Sequence, residues 1–323
     1  MSAEAYRPPR WLRGGHAQTI YPALFLSGPR PRYRRERWDT PDGDFIDLDF
    51  LEGAAAAAPC VALFHGLEGD SSSHYARALM RALARVGWMG VVVHFRGCSG
   101  EANRLPRAYH SGDATEIGWI LARLAQTRRP LFAVGVSLGG NALLKWLGES
   151  GAAAGDPLQA AAAVSAPLDL MASGAALGRG LNLIYTRLFL STLRAKSLDK
   201  LARFPGLLDR GRILRARTLR QFDDAVTAPL HGYRDTDDYW TRASSKSGLK
   251  GVRLPTLVLN AQNDPFLPRQ HLPRPQEVSP MVRLEQPLEG GHVGFTAGAL
   301  PGNIDWLPRR LLAFFREHLP LLR

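Results

Sequence analysis

Leu131-Phe132-Ala133-Val134-Gly135-Val136-Ser137-Leu138-Gly139-Gly140-Asn141 is the stretch on which the reading of this chain turns. Residues 131–134 are an apolar run of the kind that forms a buried strand, and 141–147 continue with helical spacing. Between them, Gly135-Val136-Ser137-Leu138-Gly139 reads Gly-x-Ser-x-Gly. Strand, sharp turn and helix in that order put a serine on the turn. A serine hydroxyl is a poor nucleophile. A tight turn lifts its Oγ off the sheet toward a base, and small flanking residues let strand and helix approach closely. A glycine-rich loop with an incidental serine would look the same locally, so the surrounding chain has to decide.

Working outward, strands and helices alternate. Residues 60–64, 90–95, 131–134, 160–164, 254–259 and 282–284 read as strands, and 75–85, 113–124, 141–147 and 304–319 as helices, the last ended by Pro320. Ser111 or Asp113 can cap the helix over 113–124. Residues 38–51, around Pro41-Asp42-Gly43-Asp44, suggest a β-hairpin. This alternation predicts an α/β fold with a mostly parallel central sheet flanked by helices on both faces. Residues 36–168 and 238–323 form that core. Residues 169–237 break the rhythm with helical patches at 181–193, 197–204 and 213–226, which predicts a helical cap inserted over the C-terminal edge of the sheet, where open α/β sheets keep their sites. Residues 1–35 read as an N-terminal extension packed on the core through its aromatics.

The 323 residues allow one large α/β domain, and 45% apolar content supplies a core. The two cysteines, Cys60 and Cys98, sit in or beside apolar runs and read as buried small hydrophobes, with no disulfide or metal role. No apolar run is long enough to span a membrane, and 1–13 has no apolar signal core, so the expectation is a soluble cytoplasmic protein. The formal charge of +12 is uneven: residues 171–220 hold eleven Lys/Arg against two acids, a net +9, and a second cluster is Arg30, Arg32, Arg34, Arg35 and Arg37. No nucleic-acid-binding signature accompanies the charge, so no nucleic-acid partner is expected. Solvated basic faces account for it, with peripheral contact to an anionic membrane as the alternative.

A nucleophilic serine needs a base, a group that orients the base, and an oxyanion hole. Asp264, in Gln262-Asn263-Asp264-Pro265-Phe266, follows the apolar run 257–259 and can accept a hydrogen bond from histidine Nδ1–H, although Asn-Asp-Pro is also a common turn. His292, in Glu289-Gly290-Gly291-His292-Val293-Gly294-Phe295, follows the last strand, and its glycine neighbours let the loop project the imidazole inward. His271, in a proline-rich loop, and His318, at the end of the last helix, fit worse. The order Ser137, Asp264, His292 is that of an α/β-hydrolase triad. Backbone N–H groups of Leu138 and of Leu67, in Phe64-His65-Gly66-Leu67-Glu68-Gly69, are the expected oxyanion donors, with His65 shaping the loop. Arg96, in Phe95-Arg96-Gly97-Cys98-Ser99-Gly100, reads as structural.

Those motifs together, with the leader Pro8-Pro9-Arg10-Trp11-Leu12-Arg13-Gly14-Gly15-His16-Ala17-Gln18-Thr19-Ile20, resemble the YheT-type α/β-hydrolases. Their eukaryotic relatives include abhydrolase-domain lipases and yeast medium-chain ethanol acyltransferases. The resemblance implies a serine hydrolase acting on small-molecule carboxylic esters without metal or cofactor. The cap agrees least, so substrate specificity does not transfer. Two further readings stay open: acyl transfer to an alcohol by the same triad, and a catalytically idle scaffold that binds an anionic surface.

Overall fold

The computed structural model describes residues 5–319; the expectations for residues 1–4 and Pro320 lie outside them. The chain enters through helix α1 (Gly15–Phe25) and an antiparallel hairpin, β1 (Arg34–Asp39) and β2 (Phe45–Leu51). There follow β3 (Cys60–Phe64), α2 (His74–Arg85), β4 (Met89–Val93), α3 (Ala114–Ala125), β5 (Leu131–Val136), α4 (Leu138–Ser150) and β6 (Ala160–Val164). A helical stretch comes next: α5 (Leu170–Leu177), α6 (Leu183–Arg203), α7 (Arg210–Arg215), α8 (Leu219–Phe222), a π turn at Asp223–Thr227, α9 (Ala228–Leu230) and α10 (Thr236–Ala243). The chain returns to the sheet with β7 (Thr256–Leu259) and β8 (Val282–Glu285) and closes on α11 (Trp306–Arg316).

The eight strands form one sheet in the order β1-β2-β4-β3-β5-β6-β7-β8. Pairing is antiparallel only at β1/β2 and β2/β4; every other pair is parallel. Strands β3 to β7 are buried along their whole length, as parallel strands covered on both faces must be. Alternate residues feed two cores. Ala62, Phe64 and Ala133 face Ile117 of α3 and Leu143 of α4, whereas Val61, Leu63 and Phe132 face Leu79 of α2 and Phe315 of α11. The fold is therefore α/β, with a mostly parallel central sheet flanked by helices.

The helical stretch differs in detail from the sequence expectation. The patches 181–193 and 197–204 join into one 21-residue helix, α6, because no breaker separates them. Ser197, at the join, turns its hydroxyl back to the Leu193 carbonyl at 2.8 Å, an arrangement a helix tolerates. The patch 213–226 instead breaks at Ala216, which is extended, and restarts where the Thr218 side chain accepts from Gln221 N–H. Helices α5 and α10, unmarked by periodicity, are each started by an aspartate cap, Asp169 and Asp235. Leu190, Ile213, Phe222 and Val226 give this stretch a small core of its own.

Candidate active site

Ser137 stands between β5 and α4 with φ +52°, a backbone conformation costing of order 1–3 kcal/mol for a residue with a side chain. Its N–H is held by the Val164 carbonyl at 2.9 Å. A side chain at Gly139 would press its Cβ to 2.6 Å from the His65 carbonyl, so only glycine lets α4 start this close to β3.

His292 Nε2 lies 2.9 Å from Ser137 Oγ, and His292 Nδ1 lies 2.9 Å from Asp264 Oδ2. With Nδ1–H donating to the carboxylate, Nε2 is left to accept the serine proton. The Asp264 side chain is fully buried, and its other oxygen accepts the Phe266 N–H at 2.8 Å. Phe266 stacks on the His292 ring with centroids 4.0 Å apart and restricts its tilt. The three residues singled out in the sequence thus meet in one hydrogen-bonded line.

Leu67 and Leu138 sit beside Ser137 at the same cavity. The N–H of Gly66 donates to Tyr75 Oη and that of Glu68 to Tyr109 Oη, each at 2.9 Å. Among the described residues, the Leu67 N–H between them has no protein acceptor, and neither has the Leu138 N–H at the start of α4. Two free amides beside a serine are what an oxyanion needs. His65 is buried in this loop, bonded through Nδ1 to the Gly66 carbonyl (2.7 Å) and accepting the Phe95 N–H on Nε2 (3.1 Å). Burial pushes its pKa down to about 3, so it is a neutral structural ring. Arg96 is buried among Glu116, Asp42 and Asp44 at 2.6–3.1 Å and ties the hairpin to α3. His271 pairs with Asp169, and His318 contacts Phe314; neither joins the serine.

Sequence reasoning missed the supports. Gln18, fully buried on α1, accepts the Gly290 N–H and Asn263 Nδ2 on Oε1, both at 2.9 Å. Asn263 Oδ1 in turn accepts the Gly291 N–H at 3.0 Å, and Thr19 Oγ1 accepts the His292 N–H at 2.9 Å. Helix α1 therefore clamps the acid loop and the histidine loop together. Gly291 has φ +61°, and a Cβ there would meet Gln18 at 2.8 Å. The glycines of 290–294 were legible; that they make room for α1 was not. The leader containing Gln18 and Thr19 stood out only as part of the resemblance.

The cavity over Ser137 is about 670 Å³. Beyond Ser137 its walls run under the helical stretch through Leu177, Phe189, Leu193, Leu219, Val226 and Trp240. Among the described residues no cluster of three or more His, Cys, Asp or Glu could hold a metal, and no helix is long and apolar enough to cross a membrane. Both cysteines are free and buried.

A family model described as alpha/beta hydrolase fold matches residues 59–299. YheT of Escherichia coli strain K12, named as an esterase, is 40% identical over 98% of this chain and 95% of its own length. The phospholipase ABHD3 of Mus musculus is 32% identical over 95% of this chain and 77% of its own. Among solved structures, the Pyrococcus furiosus esterase Pf2001 superposes with a TM-score of 0.56 at 14% identity, over 89% of this chain and 93% of that one, a likeness of fold alone. The chain belongs to the α/β-hydrolase family and, within it, to the YheT-type group.

Proposed function

We propose that this protein is a serine hydrolase of carboxylic esters, working through an acyl-enzyme on Ser137. The observation that carries the reading is the unbroken line Asp264–His292–Ser137, with both links at 2.9 Å, at the floor of an apolar cavity. In this mechanism Ser137 Oγ attacks the ester carbonyl carbon while His292 Nε2 takes its proton. The carbonyl oxygen gains charge and is held by the Leu67 and Leu138 N–H groups. Asp264 stabilises the imidazolium, which returns the proton to the departing alcohol. Water, deprotonated by His292, then attacks the acyl-enzyme, releases the acid and restores Ser137.

The apolar side chains above Ser137 suit a short to medium acyl chain, in a space of ordinary ligand-pocket size. No metal or cofactor has a part in these steps. The test is turnover of p-nitrophenyl esters from acetate to dodecanoate by the wild type and by Ser137→Ala. The proposal expects the variant to lose at least about 10³-fold in rate. Retention of the wild-type rate would remove Ser137 from the mechanism. An alcohol in place of water at the second step gives acyl transfer from the same intermediate, so product analysis with ethanol present distinguishes hydrolase from transferase.

A further inference from the structure

We propose that the outer face of α1, together with the outer face of the first half of α6, docks on an anionic phospholipid surface. Helix α1 contains no charged residue. Its inner face, with Gln18 and Thr19, is buried under the His292 loop, while Ile20, Leu24 and Phe25 face outward at 39%, 68% and 68% exposure. Helix α6, unlike α1, is apolar on both sides over its first half. Its inner face lines the cavity through Phe189 and Leu193, yet Leu181, just before it, and Ile184 and Leu188 are exposed at 66%, 50% and 63%. A helix apolar on both sides needs a partner on both. These six side chains are more than half of the eleven large exposed hydrophobics among the described residues, so the apolar surface is concentrated here.

The two helices meet where His16 Nδ1 lies 3.1 Å from Tyr185 Oη, with the rings stacked. Exposed cations flank them along the chain. Arg10 and Arg13 precede α1, Arg30 and Arg32 follow it, and Arg187 stands beside Leu188; none has an ion pair among the described residues. Exposed apolar side chains flanked in the chain by arginines without ion pairs match the interior and the headgroups of an anionic lipid surface. A second copy of a chain with net charge +12 would bring arginine against arginine, and nucleic acid would leave the leucines uncovered. The helices lie on the surface and do not span it, since none among the described residues is long and apolar enough to cross.

The test is independent of catalysis. Full-length protein carrying Ser137→Ala is sedimented with vesicles of phosphatidylcholine, or of equimolar phosphatidylcholine and phosphatidylglycerol. The proposal expects about tenfold tighter association with the anionic vesicles, weakened by salt. Leu24→Ser/Phe25→Ser/Leu188→Ser, and separately Arg13→Gln/Arg187→Gln, should each lower it about tenfold. Circular dichroism checks folding, and if the serine variant does not fold the arginine pair decides alone. Equal association with both vesicles, or association unchanged in the folded variants, would overturn the proposal. So would a dimer in solution that the serine substitutions abolish, with no vesicle association.

Discussion

Gln18 Oε1 accepts the Gly290 N–H at 2.9 Å across 272 residues of chain, so an N-terminal helix sets the loop that carries His292. The same oxygen holds Asn263, the neighbour of Asp264, and one amide side chain thus registers two members of the relay against each other. Gln18→Ala would leave a buried N–H and the Asn263 amide unpaired, at about 1–3 kcal/mol each. Because the reacting atoms move and the cavity does not, kcat should fall by about 10–100-fold with KM little changed. Steady-state kinetics on a short acyl ester checks this; a raised KM with unchanged kcat would place Gln18 outside the positioning of the site.

Asp264→Asn should keep the fold, since the remaining carbonyl oxygen can still accept the Phe266 N–H. It cannot stabilise the imidazolium and favours the wrong tautomer, so kcat should drop by about 10⁴-fold. A loss of less than about tenfold would mean that another group orients His292.

Tyr109→Phe removes the hydroxyl that accepts the Glu68 N–H at 2.9 Å and donates to Glu68 Oε1 at 2.7 Å. Glu68 has φ +56° and also pairs with Lys196 of α6. Without the tyrosine hydroxyl the Glu68 amide is unsatisfied and the Leu67 N–H loses its aim. Stability should fall by about 1–3 kcal/mol, and kcat should fall as well. Urea melts with kinetics on the same preparation separate the two effects. Lost stability with unchanged kcat would confine Tyr109 to folding.

The β1–β2 hairpin carries Asp42, Asp44, Asp47 and Asp49, all with pKa values lowered in the fold. Burial alone would raise them; bonds to the charged form prevail, from Arg96 and Thr40 on Asp42, which is lowered to about 2, and from Arg35, His94 and Ser71 on Asp49. A folded pKa below the unfolded one means that the unfolded chain takes up protons first. The contribution is complete above about pH 4 and is lost as pH falls toward 2. Urea midpoints measured from neutral pH down to about 2 should therefore fall steeply below about 4, less steeply in Asp49→Asn. A flat profile would contradict the assignment.

The sheet, the serine turn and the three residues that meet in the hydrogen-bonded line were legible because each is written locally: an apolar run, Gly-x-Ser-x-Gly, Asn-Asp-Pro and Gly-Gly-His. The boundaries of the helical stretch were less so, because α5 and α10 are specified by aspartate caps and contacts, and periodicity does not mark them. Gln18, Thr19, Tyr75 and Tyr109 were not legible as site residues. Their roles depend on partners brought close only by folding, as with Gln18 and Gly290 or Tyr109 and Glu68. A buried glutamine in a leader has no pattern of its own.

The central claim, an activated Ser137, is tested most directly by reaction with a fluorophosphonate and mass mapping of the modified peptide, for wild type and Ser137→Ala. The account predicts one adduct, on the peptide bearing Ser137, and none in the variant. A folded wild type that stays unlabelled, or a variant that labels equally, would contradict it.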